Sequence, residues 1–243
     1  MPGYNYIYKS LNRSVGKAIH RYGMIENGDR IAVGVSGGID SLTLLWILHE
    51  RLKSVPVKYK LFPIYIDPGF EGGFTEALKD YCRKIGCTLM VDKTTHGVLA
   101  HSSENLENPC FLCSKLRRKR LFELAGELGC SRLSLGHNMD DIIETLFINM
   151  FYAGQISTMV PSQTVFKGLF TIIRPLAFVD KNKIKSFAKA HGFPDFVNPC
   201  PSAKTTKRFE IKKMLNQIYK SNEKIKGNIF RALSNVKVDY MLK

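Results

Sequence analysis

Short apolar runs alternate along the chain with stretches whose apolar positions fall three and four residues apart. The runs at 30–35, 60–66 (KLFPIYI), 88–92 (TLMVD), 131–136 (SRLSLG) and 170–176 (FTIIRPL) predict buried strands. The helical spacing predicts helices over 10–25, 40–53, 74–85, 115–129, 138–151, 181–191 and 207–220. Strands and helices in alternation mean right-handed βαβ units. The expected class is therefore α/β, a parallel sheet with helices on both faces. Three segments follow: a short N-terminal helical segment at 1–27, the sheet domain at 28–200, and a basic C-terminal helical extension at 201–243. Residues 151–168 read as a long loop, and the last residues as a short helix or a basic tail. No internal repeat or low-complexity linker is present.

The 243 residues are enough for a substantial core, and no apolar run approaches the roughly 20 residues of a membrane span. The opening MPGYNYIYKSLNRSV lacks the apolar centre of a secretory signal, so the expected location is the cytoplasm. In a reducing compartment the six cysteines read as thiols or metal ligands rather than a disulfide framework. A formal charge of +15 points to a polyanionic partner, nucleic acid first. Residues 181–243 carry 15 Lys or Arg against 4 Asp or Glu, and KLRRKR at 115–120 adds a second basic knot. A solvated surface would also account for either cluster taken singly.

The first strand runs into Ser36-Gly37-Gly38-Ile39-Asp40-Ser41 and then a helix. A glycine turn at a helix N-terminus suits an anion, because backbone N–H groups and the helix dipole converge there. The nucleotide P-loop would place Gly-Lys before Ser or Thr, and this loop has no lysine. A second corner, LSLGHNMDDIIETLF at 133–147, sets Gly136, His137, Asp140 and Asp141 at the start of an amphipathic helix, where oxygen ligands suit Mg²⁺. Helix capping would explain one of those aspartates. Asp67 follows the second strand, as a ribose or adenine contact or a plain turn residue. Cys82, Cys87 and Cys130 have apolar neighbours and read as structural thiols. Cys110 and Cys113 form a Cys-x-x-Cys, and Cys200 lies on a proline-bounded turn. Alone, the pair could be redox-active or half of a zinc site completed by His96, His101 or His191.

Taken in order, these motifs carry a resemblance over roughly residues 10–215. Ser-Gly-Gly-x-Asp-Ser resembles the signature of PP-loop ATP pyrophosphatases, whose fold is adenine nucleotide alpha hydrolase-like. Adding Cys-x-x-Cys-Ser-Lys-Leu-Arg-Arg, Gly-His-Asn-Met-Asp-Asp, Met-x-Pro at 159–161, Ile-Arg-Pro-Leu at 173–176 and Cys200, the chain resembles the tRNA 2-thiocytidine synthetase family. The resemblance implies ATP-dependent thiolation of a tRNA cytidine. ATP would bind at Ser36, Gly37, Gly38, Asp40, Ser41, Asp67, Gly136, His137 and Asp141, with Mg²⁺ on Asp140 and Asp141. Cys110, Cys113 and Cys200 would hold a 4Fe-4S cluster with one iron open, and these cysteines with Asp40 form the implied catalytic set. Lys115, Arg117, Arg118, Lys207 and Arg208 would bind RNA. A cysteine desulfurase system would deliver sulfur, a reductant electrons, and a homodimer is a compatible assembly. Two positions depart from the family pattern: Ile39 stands where the loop commonly has lysine, so a positive charge near the pyrophosphate comes from elsewhere, with Lys115 and Arg174 as candidates, or is dispensable. Pro201-Ser202-Ala203 stands where relatives often have a second cysteine and glycine. Competing readings are thiolation or amidation of another nucleoside or a small molecule, a cysteine-persulfide thiolase without a cluster, and a non-catalytic nucleotide sensor.

Overall fold

A computed structural model of the chain describes residues 2–197, 199–202 and 206–241. Among these the elements run α1 (Pro2–Arg21), β1 (Arg30–Gly34), α2 (Ile39–Arg51), β2 (Lys60–Asp67), α3 (Thr75–Lys84), β3 (Met90–Lys93), α4 (His96–Ala100), α5 (Pro109–Glu127), β4 (Arg132–Ser134), α6 (Met139–Ala153), β5 (Ser162–Val165), β6 (Phe170–Ile173), α7 (Lys181–Ala190), α8 (Lys207–Ser221) and α9 (Lys224–Ala232). The sheet order is β3-β2-β1-β4-β6-β5, parallel except for β5. From β1 the chain winds outward to β2 and β3, then crosses back to β4 on the other side. The strand order therefore reverses between β1 and β4, and the loops leaving their carboxyl ends flank a crevice.

Strand alternation divides the core. Ile31 and Val33 face a cluster completed by Leu11 and Val15 of α1, Leu44 and Leu48 of α2, and Ile184 and Phe187 of α7. Ala32, Ile64 and Ile66 face the opposite side, against Leu121, Phe122 and Ala125 of α5. The expected layering is met, with helices on both faces. Cys82 and Cys87 are buried in the first cluster and Cys130 in the second, as structural thiols should be. Among the described residues no helix is long and apolar enough to cross a membrane.

Three boundaries differ from the pattern reading. Helix α1 begins at Pro2 rather than near residue 10. Helix α5 begins at Pro109, because Asn108 accepts hydrogen bonds from the N–H groups of Cys110 and Phe111 and proline suits the first helical position. Both cysteines of the Cys-x-x-Cys therefore sit in helix rather than loop. Within 151–168, read as loop, Ser162–Val165 forms an antiparallel edge strand whose polar residues give no apolar alternation. The turn that joins it to β6 puts Phe166 and Lys167 at φ of 52° and 54°, a region non-glycine residues seldom occupy.

The C-terminal helices build a third, smaller core on α6: Ile143 packs with Ile211 and Leu215 of α8, and Ile229 and Phe230 of α9 lean on it. Ala203, Lys204 and Thr205 lie outside the described residues. Because this cluster is small, its loss should be local. Leu215→Ala is expected to cost about 2–4 kcal/mol in that part of the structure. Amide hydrogen exchange should speed up in α8 and α9 while β1 keeps its protection; equal acceleration in β1 would show that the three cores unfold together.

Candidate active site

Strand β1 delivers the 36–41 loop to the crevice. Gly37 has φ of +79°, and a Cβ there would lie 2.4 Å from the Phe74 ring, so conformation and space both demand glycine. Gly38 is the N-cap of α2 and offers no side-chain cap, which leaves the first-turn N–H groups to an anion. Ser41 is buried. Its hydroxyl donates to Gly38 O (2.9 Å) and accepts from the N–H of Ser36 (3.0 Å) and the Ser36 hydroxyl (3.2 Å). It thus shapes the loop from inside, while Ser36 stays exposed.

Strand β4 delivers the second corner. A Cβ on Gly136 would lie 3.1 Å from the Asp40 carbonyl carbon and the Ser41 nitrogen, so the two corners rest backbone on backbone. Asn138, buried, joins them: its Oδ1 accepts from the N–H of Asp140 (2.9 Å), capping α6, and its Nδ2 donates to Asp40 Oδ1 (3.1 Å). Asp141 completes the capping box by accepting from the Asn138 N–H at 2.9 Å. His137 accepts at Nδ1 from Arg174 Nε (3.4 Å), and buried Arg174 also donates to Val160 O (2.6 Å). Burial, followed by Arg174, Arg208, Arg117 and Arg118, pushes the His137 pKa down to about 3, so the ring is neutral at physiological pH.

A cavity of about 260 Å³ opens beside these corners, lined by Asp40, Asn138, Asp140, Asp141 and Glu144 together with Lys181, Arg208 and Lys212. Its carboxylates are paired. Asp40 Oδ2 meets Lys181 Nζ; Asp140 Oδ1 meets Lys226 Nζ (2.8 Å), which also reaches Asp180 (2.8 Å); Arg208 reaches Asp141 and Glu144, both at 3.3 Å, and Thr145. Asp140 Oδ2 accepts from the Lys181 N–H at 2.9 Å. Two expectations bear on these contacts. Every carboxylate oxygen of Asp140 and Asp141, the pair expected to hold Mg²⁺, faces an ammonium, a guanidinium or an N–H. Arg208, expected on RNA, bridges α8 to α6. Burial first, and neighbouring carboxylates after it, raise the pKa of Asp141 and Glu144. Asp67 organises the turn after β2, where its carboxylate accepts from the Gly69 N–H (2.9 Å) and the Thr75 hydroxyl (2.5 Å).

Cys110 and Cys113 lie within electrostatic reach of Cys200, far off in sequence. Cys110 and Cys113 occupy the start of α5, and Cys200 arrives after α7; each of the first two feels the charge of Cys200. Burial foremost raises both thiols, with the neighbouring sulfurs adding to the effect and Arg117 opposing it at Cys113. Ser202 hydrogen-bonds Cys110 and lies 2.7 Å from His101 Nε2, whose Nδ1 is 2.9 Å from Gly97 O. Both ring nitrogens of His101 are therefore engaged, and His191 stacks among Trp46, Phe187 and Phe193 in the core. Neither completes a zinc site. Among the described residues no three His, Cys, Asp or Glu side chains converge on a single metal ion. A four-iron cluster takes each thiolate on a different iron, so it does not ask three thiols to meet at one metal ion.

The model of the PP-loop domain family matches residues 7–218. Among curated relatives, the tRNA-cytidine(32) 2-sulfurtransferase of Geobacter sulfurreducens is 38% identical over 241 residues, covering 98% of this chain and 94% of its own. The tRNA-cytidine(32) 2-sulfurtransferase of Geotalea daltonii is 39% identical over 240 residues, covering 97% and 95%. The chain belongs to this PP-loop sulfurtransferase family. Among solved structures, the U34-tRNA thiolase NcsA from Methanococcus maripaludis with its [4Fe-4S] cluster superposes with a TM-score of 0.79 at 24% identity, covering 98% of this chain and 81% of that one. That likeness establishes the shared fold.

The chain holds its PP-loop and its corner in one crevice, and Lys115, Arg117 and Arg118 are exposed on α5. Arg117 and Arg118 both act on His137, so the basic helix borders the nucleotide corner as well as the cysteines. Lys207 packs over the Tyr152 ring at 5.0 Å. Asn138, Lys181 and Lys226 were not legible as site residues: their partners lie 98, 141 and 86 positions away. Only the Asn before Asp140-Asp141, a capping residue, gave a local signal. The neutral His137 has a thermodynamic consequence. Its folded pKa is below its unfolded value near 6.5, so the unfolded state gains protons first and stability is lost as pH falls from about 6.5 toward 3. Between pH 7 and pH 5 the share of His137 should be about 1–2 kcal/mol. Urea melts of His137→Gln should show a shallower acid loss than wild type, and parallel losses would refute a buried neutral imidazole.

Proposed function

We propose that this chain thiolates tRNA in an ATP-dependent reaction, replacing O2 of a cytidine with sulfur to give 2-thiocytidine. The observation that carries the proposal is that Cys110 and Cys113, at the start of the basic helix α5, each lie within electrostatic reach of Cys200, while Arg117 and Arg118 of the same helix lie within reach of His137 at the corner beside the PP-loop. The names of the curated relatives support the same substrate and base.

The loop residues Ser36 to Ser41 bind the phosphates of ATP through backbone N–H groups and the α2 N-terminus. Cytidine O2 attacks the α-phosphorus and pyrophosphate leaves, which turns a poor leaving oxygen into part of AMP. Sulfur then replaces that oxygen at C2 as AMP departs. Residues Lys115, Arg117 and Arg118 follow the RNA backbone, and Lys207 extends that contact from α8. Neutral His137 keeps Arg174 aimed along the corner without adding charge of its own. Cys110, Cys113 and Cys200 would hold a 4Fe-4S cluster, which supplies, when bound, an iron without a protein ligand for a sulfur donor. A cysteine desulfurase would feed that sulfur, with a reductant for the cluster.

Nucleoside mass spectrometry of bulk tRNA from a strain lacking the gene tests this reading. Loss of 2-thiocytidine, restored by wild type and not by Cys200→Ala, is the expected result. Unchanged 2-thiocytidine in the deletion strain would move the acceptor to another nucleoside or a small molecule. Iron analysis of anaerobically purified protein accompanies it: an iron-free protein that still thiolates would replace the cluster with persulfide chemistry.

A further inference from the structure

The 36–41 loop contains no cation, and Ile39 within it is packed, partly buried, against the main core. A site that releases pyrophosphate must nonetheless meet the charge that develops on that leaving group. Lys181, Arg208 and Lys212 line the cavity next to the loop. Arg208 is fixed between Asp141, Glu144 and Thr145 on the far wall. Lys212 is exposed on α8 and acts on Glu144. Lys181 differs from both, because its ammonium rests on Asp40, the carboxylate of the loop itself. Its origin is also fixed. It is the first residue of α7, Asp180 caps that helix, its N–H is held by Asp140, and Ile184 and Phe187 anchor the helix in the core beside α2.

We infer that Lys181 is the cation that faces the pyrophosphate of ATP, positioned over the loop by Asp40. The inference rests on the ATP-dependent reading above. In the adenylation step the bond from cytidine O2 to the α-phosphorus forms, and the bond from the α-phosphorus to the bridging oxygen breaks. The electron pair leaves on pyrophosphate, where the Lys181 ammonium stabilises it. Asp40 is then a positioning residue as well as the end of the loop, and position 39 is released to serve the core.

Pyrophosphate release from the anaerobically purified enzyme with unmodified tRNA, measured against ATP and with added inorganic pyrophosphate as product inhibitor, tests the assignment. Lys181→Met should raise the KM for ATP and the inhibition constant of pyrophosphate about 10-fold or more, the loss of one charge-assisted contact, with KM for tRNA unchanged. Lys181→Arg should recover most of both constants, and Ile39→Lys added to Lys181→Met should regain ATP affinity. Constants within about twofold of wild type in Lys181→Met overturn the inference, as does a loss that falls equally on tRNA. Should the Met variant be unstable, Lys181→Gln compared with Lys181→Arg carries the same test, and equal constants in those two overturn it. A wild-type enzyme that releases no pyrophosphate with tRNA would instead sink the ATP-dependent reading, so the two failures are distinguishable.

Discussion

Two backbone turns lie against each other where the strand order reverses, with no side chain between Gly136 and the first peptides of α2. Adding one methyl group at Gly136 would press on backbone atoms that belong to the nucleotide loop and cannot rotate away. That contact sets the distance between β1's loop and β4's corner, and Asn138 then fixes their rotation by bonding Asp40 while capping α6. Because Asn138 is buried, its bonds are costly to lose and the joint is rigid. Loop, corner and the α6 N-terminus therefore move as one body, a prerequisite for holding reacting groups in line.

Around that joint the protein gathers four carboxylates, those of Asp40, Asp140, Asp141 and Glu144, and neutralises them with Lys181, Lys226 and Arg208. Burying ion pairs seldom adds much net stability, because desolvation offsets attraction. What such pairs supply is selectivity for one arrangement: Lys226 bonds Asp140 and Asp180 together, and so ties α9 to both α6 and α7. Its pKa rises despite burial because those two carboxylates outweigh the desolvation. The basic C-terminal region thus divides its charge. Some of it locks the site from within, and the remainder, with that of α5, is left on the surface.

The sheet and most helices were legible because apolar periodicity is a local signal, strong in Ile31 to Val35 and in Ile142 to Leu146. The edge strand Ser162–Val165 was not, since an edge strand with both faces partly wet needs no alternation. Motif residues were legible as types, but their duties were divided by contacts that no spacing encodes. Ser41 and Asp67 satisfy their own turns, and Asp140 satisfies lysines from two later helices. Lys181 could be placed at the start of a helix from sequence, yet its partner is 141 residues earlier and only the closed sheet brings them together.

The cysteines illustrate how competing influences on one group define its chemistry. At the start of α5 the helix dipole favours thiolates, and Arg117 pulls Cys113 the same way. Burial and the neighbouring sulfurs act against both and win, so Cys110 and Cys113 hold their protons more tightly than free thiols. Burial also raises the structural thiols Cys82, Cys87 and Cys130, with Arg30 opposing it at Cys130 as Arg117 does at Cys113. Three thiols that repel one another as anions are stable together only as neutral groups or around a positive centre. Binding such a centre would release their protons and remove the repulsion in the same step, coupling the site's occupancy to pH.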